Sequence, residues 1–78
     1  MLIRYWFKTD IGFGYGVTAF SQSDAESLLA SFVERIGKDR KVVEIVPNID
    51  IRTLDQNHVI PNMGPSNIRG VWYPSLNL

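Results

Sequence analysis

Apolar side chains recur along this chain with two different periods. From Leu2 to Lys8, aromatic and β-branched residues read as a strand, in which every second side chain shares a face. Ile3, Tyr5 and Phe7 then form a core face, while Leu2, Arg4, Trp6 and Lys8 form one that mixes apolar and basic groups. Residues 9–14 are rich in turn formers and reverse the chain. A second strand runs from Tyr15 to Phe20, with Tyr15, Val17 and Ala19 on one side and Gly16, Thr18 and Phe20 on the other. Two strands joined by about six residues predict an antiparallel hairpin.

The period then becomes helical. Ala25, Leu28, Leu29, Phe32, Val33 and Ile36 follow the i, i+3, i+4 spacing of one helix face, which predicts a helix over 23–36. Ser23 with Glu26 three residues on has the form of a capping box. Asp24 and Glu26 lie at the positive end of the helix dipole, Arg35 and Lys38 near the negative end, and Gly37 is placed to stop the helix in a left-handed conformation. A helix of this length is not stable alone, so its apolar stripe must pack on the hairpin.

Beyond it, Lys41 to Val46 reads as a strand stopped by Pro47. Over 48–53, Ile49 and Ile51 alternate with Asp50 and Arg52, which predicts a short edge strand; a single helical turn over 53–57 competes with it. Residues 55–67 have no period and contain Pro61, Gly64 and Pro65, so they read as a long loop. Ile68 to Tyr73 is the last strand, ended by Pro74 and followed by a tail to Leu78. The expected fold is a single α+β domain over 1–78. It has a small antiparallel sheet of four to five strands with one helix on one face, in the order ββαβ(β)β. The Ala19–Glu26 stretch resembles the strand-to-helix junction of many small α+β domains, which reports architecture and carries no function.

Composition narrows the chemistry. With 78 residues there is room for one domain, and 45% hydrophobic with 21% charged residues is the balance of a globule rather than a disordered tail. The absence of cysteine excludes disulfides, thiolate-held metals and thiol nucleophiles. An aromatic core or oligomerisation must then stabilise so short a chain, and 2 Trp, 3 Tyr and 4 Phe make the first possible. Eight basic residues balance eight acidic ones, which argues against nucleic acid or an anionic membrane as partner. No apolar run approaches the roughly 20 residues that span a bilayer. Residues 1–6 lack the pattern of a signal peptide, so a stand-alone cytoplasmic product is the expectation, with no cofactor.

The chemically suggestive residues each have a plain reading beside the functional one. Gly12, Gly14 and Gly16 resemble a phosphate-binding string, but such a loop leads into a helix and this one leads into a strand; glycines that relieve a tight hairpin are the expectation. His58 is the single imidazole. Asp55 is near enough in sequence to orient it and Ser66 is not far, yet a general base needs its partners within reach and nothing in the sequence fixes that geometry. Asp50, Asp55 and His58 lack the spacing of a metal site, so His58 reads as a loop residue bonded to backbone. Arg4, Trp6 and Lys8, with Trp72 or Tyr73 on a neighbouring strand, have the makings of a base-stacking platform. The balanced charge favours core packing or a cation–π contact of Arg4 instead.

The loop is the most informative stretch. Long structureless loops are uncommon in compact domains. This one carries Val59, Ile60, Met63 and Ile68 as apolar anchors and the neutral amides of Gln56, Asn57, Asn62 and Asn67. It reads either as an ordered loop covering one end of the core or as a binding loop. A lone helix covers one sheet face, so the other would show Leu2, Trp6, Phe20 and, across the sheet, Trp72 to water. The expected function is therefore a small non-enzymatic protein-interaction module. It would bind a protein partner or its own copy, as a homodimer, through Arg4, Trp6 and Trp72 on that face. The 55–69 loop, with Asp55, Asn57, His58, Asn62, Asn67 and Arg69, is the other candidate surface. The alternatives are a ligand-binding or hydrolase-like protein centred on His58, Asp55 and Arg69, and a nucleic-acid binder.

Overall fold

The computed structural model of the chain describes residues 1–12, 14–36 and 41–74. The alternating segments form the hairpin: β1 (Ile3–Thr9) pairs antiparallel with β2 (Gly14–Ala19), with Tyr5 opposite Val17 and Phe7 opposite Tyr15. Gly12 turns the chain at φ 85°, a conformation that side chains with a Cβ rarely adopt. Helix α1 (Gln22–Ile36) buries Ala25, Leu29 and Phe32, with Leu28, Val33 and Ile36 packed around them. Their counterparts on the sheet are Tyr5, Phe7, Tyr15, Val17 and Ala19, the two faces read from alternation. Tyr15 and Phe32 meet edge-on at 6.3 Å.

The helix starts one residue before the expected position, and its cap moves with it. Ser21 Oγ, not Ser23, accepts the Asp24 amide at 3.2 Å, and Asp24 rather than Glu26 reaches back, accepting the Phe20 amide at 3.0 Å. The reason is local competition: two overlapping Ser-x-x-acid strings exist, and Asp24 gains a second partner in Arg69. The expected helix stop at Gly37, Lys38 near it, and the tail after Pro74 lie outside the described residues.

Strand β3 (Val42–Pro47) pairs with the outer side of β1, and β4 (Gly70–Tyr73) with the outer side of β2. The sheet is four-stranded and antiparallel, in the order β3-β1-β2-β4, with α1 over β2 and β4. The α+β class and one-helix architecture are as expected.

The optional fifth strand over 48–53 does not form. Asn48 turns the chain at φ 54°, and Ile49 makes one further bond to β1, its amide donating to the Arg4 carbonyl at 3.0 Å. Asp50 then caps a 3-10 turn over Ile51–Thr53, accepting the Arg52 amide at 3.0 Å. A short carboxylate that bonds backbone two residues on competes directly with ladder pairing. The competing helical turn over 53–57 does not form either: the 3-10 turn ends at Thr53 and shares only that residue with it.

The consequence for the second sheet face is a correction. That face is not left to water. Leu54 and Val59 are buried against Trp72, joined by Trp6, Ile49, Ile51, Ile60, Met63 and Tyr73 in a second core cluster. A second 3-10 turn, Ile60–Asn62, belongs to the same layer. Trp72 is 2% exposed and Trp6 half-buried, so the indoles expected to seek a partner are covered by the chain itself. Of the expected four, Leu2 and Phe20 remain exposed. Of the two readings of the 55–67 loop, covering the core is what Val59, Ile60 and Met63 do, whereas Ile68, expected as a fourth anchor, is exposed. The layer is tied down at its far end, where Thr18 Oγ1 donates to the Ser66 carbonyl at 2.6 Å and Arg4 Nε to Ser66 Oγ at 3.2 Å.

Candidate binding cleft

One row of register partners crosses the second face: Val46 on β3, Trp6 on β1, Gly16 on β2 and Tyr73 on β4. The β2–β4 register shifts between Gly16 and Val17, leaving Trp72 as an extra residue between Val71 and Tyr73. A bulge of this kind breaks strict alternation, and Trp72 and Tyr73 both join the second cluster while Val71 packs toward the helix. Trp6 therefore meets two rings, Trp72 at 5.9 Å and Tyr73 at 5.7 Å between centroids.

The glycines make this possible. A Cβ on Gly14 would lie 2.5 Å from Cζ2 of Trp6, and one on Gly16 would lie 2.5 Å from Cζ2 of Trp72 and closer still to Cζ3 and Cη2. Carbon atoms in contact settle near 3.5–4.0 Å. Only Gly12 of the three serves the turn; Gly14 and Gly16 are seats for indole rings, which corrects the expectation that the whole string relieves the hairpin.

The coil layer stops short of the β1–β3 side of the sheet and leaves a cleft of ≈ 660 Å³ there. Trp6, Tyr73, Val46 and Leu54 are among its apolar walls, Lys8, Thr53, Asp55 and His58 its polar groups, and Gly12 and Gly14 also line it. Asp55 organises its rim. Its Oδ1 accepts the amides of Asn57 at 2.8 Å and His58 at 3.3 Å, and its Oδ2 lies 3.1 Å from His58 Nδ1. The Asn57 amide first, and His58 second, hold the Asp55 carboxyl below the usual carboxylate range. Lys8 Nζ lies 3.4 Å from Glu44 Oε1, and Thr53 Oγ1 donates to the Asp50 carbonyl at 2.7 Å.

The structure gathers Trp6, Asp55 and His58 at this cleft and places the other expected residues elsewhere. Arg69 is at the start of α1, where its guanidinium forks onto the Asp24 carboxylate, Nε to Oδ2 at 2.9 Å, and lies 5.9 Å from the Phe20 ring centroid. Arg69 and then the Phe20 amide hold the Asp24 carboxyl down to about 2. The triangle of His58, Asp55 and Arg69 is thus opened, with Arg69 held in another ion pair. Ser66 bonds Arg4 and Thr18 rather than His58. Arg4 and Trp6 do not form a joint stacking platform, since Arg4 bonds Ser66 and Trp6 packs on one side against Trp72 and Tyr73. Asn57 contributes its backbone amide to Asp55, Asn62 Nδ2 donates to the His58 carbonyl at 2.7 Å, and Asn67 is exposed ahead of β4. Trp72 lies beneath the coil layer, and its Nε1 is buried with no hydrogen-bond partner among the described residues.

Lys8 and Tyr73, which the sequence groups with Trp6 as a stacking platform, also line the cleft, and Thr53 and Val46 join it without a sequence signal for a site. Lys8 and Trp6 do share a strand face by alternation, whereas Thr53 ends a segment that alternation assigns to an edge strand and Leu54 lies between that segment and the period-free loop. Among the described residues no group of three or more His, Cys, Asp or Glu is placed to hold a metal ion, and no helix is long and apolar enough to cross a membrane. The fold defines a small α+β protein whose sheet carries a helix on one face and a coil layer with two 3-10 turns on the other. No protein-family model, curated protein or solved structure matches it.

Proposed function

We propose that this chain is a small non-enzymatic binding module, and that its binding surface is the cleft where the coil layer meets β1. The observation that carries this reading is the ≈ 660 Å³ hollow with Trp6 and Tyr73 in its walls and Lys8, Asp55 and His58 among its polar groups. Its volume lies within the range of small-ligand sites, which combine apolar walls with a few placed polar groups. Aromatic rings fixed on a sheet offer contact area without having to be ordered first. The polar groups favour binding over hydrolysis: the Asp55 carboxylate caps its own turn, the Thr53 hydroxyl is committed to backbone, and the His58 side chain is 77% exposed. The occupant is a compact group with an apolar body.

Titrating the ¹⁵N-labelled protein with benzyl alcohol tests the reading. Fragments of this size bind in the millimolar range, about −4 kcal/mol. The expected result is saturable shifts confined to Trp6, Thr53, His58 and Tyr73, reduced by Trp6→Ala. No saturable shifts, or shifts centred on Phe20 and Ile68, would remove the cleft as the site.

A second reading keeps a partner at the opposite end of the strands. Leu2, Phe20 and Ile68 are 38%, 61% and 59% exposed and flank the adjacent strands β1, β2 and β4. This apolar row supports association with a protein partner or a second copy. Sedimentation that is concentration-dependent in the parent chain and monomeric in Phe20→Ser supports self-association, and a monomer at all concentrations removes it.

A further inference from the structure

The charges around the cleft do not cancel. Lys8 and Glu44 form an ion pair at 3.4 Å, and beside Thr53 the Arg52 guanidinium is forked onto Asp50 at 2.7 Å. Of the described charged groups that line the cleft, Lys8 is paired with a full charge, whereas Asp55 has only the His58 imidazole beside it. Asp55 lines the same hollow as Trp6 and Tyr73. Aromatic faces carry negative quadrupole density and attract a cation within about 6 Å, and a carboxylate accepts charge-assisted hydrogen bonds from an ammonium group. An anion would meet both of these unfavourably. The absent Cβ at Gly14 leaves room for the Trp6 ring.

Resting on the binding reading above, we infer that the cleft selects a small organic ammonium ion with a compact apolar body, the cation directed to Asp55 and the body against Trp6 and Tyr73. His58 holds one side of the Asp55 carboxylate and leaves acceptor capacity on Oδ2, since each carboxylate oxygen offers two lone pairs. Glu44 acts indirectly, by occupying Lys8, which would otherwise repel the ligand.

Three probes of similar size and different charge separate this inference from the reading beneath it: phenethylamine, phenethyl alcohol and 3-phenylpropionate. Each is titrated at constant ionic strength into the full chain and followed by ¹⁵N shifts of the cleft residues. The amine is expected to bind about 5- to 10-fold more tightly than the alcohol, with the propionate weakest. In Asp55→Asn, which retains an oxygen to cap the 55–58 turn, the ratio of amine to alcohol affinity falls to within about 2-fold. Glu44→Gln, on an exposed strand position, also lowers the preference for the amine by releasing Lys8. Equal binding of all three probes, or a preference for the propionate, overturns the inference and leaves the binding reading standing. Absence of all three from the cleft overturns both.

Discussion

Gly16→Ala should destabilise this protein, against the ordinary expectation for a strand. In a strand interior, replacing glycine by alanine restricts the unfolded chain and is worth roughly 0.5–1 kcal/mol in favour of the fold. Here the new methyl group would lie 2.5 Å from Cζ2 of Trp72, and nearer to Cζ3 and Cη2. That is an overlap of about 1 Å or more against normal carbon contact. The ring has little room to retreat: Trp72 is 2% exposed and is packed with Leu54 and Val59, with Trp6 beside it. Overpacking of this kind costs about 1–3 kcal/mol, which outweighs the backbone gain. For a chain this short each kcal/mol lowers Tm by roughly 4–8 °C. Urea unfolding followed by far-UV circular dichroism measures the change. The discriminating step is to repeat the substitution in a Trp72→Leu background, where the methyl group has space and the loss should shrink by half or more. A neutral or stabilising Gly16→Ala, or an equal loss in both backgrounds, would refute the assignment of Gly16 as a seat for the indole.

Three further outcomes are expected. Ser21→Ala should cost about 1 kcal/mol in chemical unfolding as the true helix cap, and Ser23→Ala no more than a few tenths; the reverse order would return the cap to Ser23. Leu54→Ala should cost about 2–5 kcal/mol and shift tryptophan emission to the red, because the coil layer is core, whereas Val43→Ala at a 56% exposed position should stay within about 0.5 kcal/mol. Asp24 and Asp50 are both held down from the usual 3.8 to about 2 by Arg69 and Arg52 respectively, so protons bind the unfolded chain more readily. Their contribution to stability is complete above the usual value and is lost as pH falls from about 4 through about 2. Urea melts across that window should show a shallower acid slope in Arg69→Gln than in the parent; an unchanged slope would mean the Asp24–Arg69 pair does not couple to folding.

Much of the fold is legible because its signals are local. Alternation assigns Tyr5, Phe7, Tyr15, Val17 and Ala19 to one face, and the i, i+3, i+4 stripe from Ala25 to Ile36 supplies the surface that covers it. These patterns need no knowledge of distant chain, since the backbone period alone sets which side chains point together. The cleft is harder to read because its parts come from three regions of sequence. Trp6 and the Asp55–His58 turn are visible as candidates, one on a strand face and the other as an acid near the single imidazole. Arg69 looked equally suitable, and only the fold shows that Asp24 claims it.

What the amino-acid order determined by itself is the hairpin, the helix, their shared core and the cysteine-free, charge-balanced chemistry. What tertiary structure decided is the other half of the molecule. Ile49 and Ile51 announce a strand that does not form, and Leu54, Val59, Ile60 and Met63 are spaced too irregularly to announce any element; all six acquire an address only when a sheet face of the right width lies beneath them. The glycine seats and the bulge at Trp72 work the same way. An absent methyl group or an extra residue has meaning only in relation to what packs across from it, and that relation does not exist until the strands have paired.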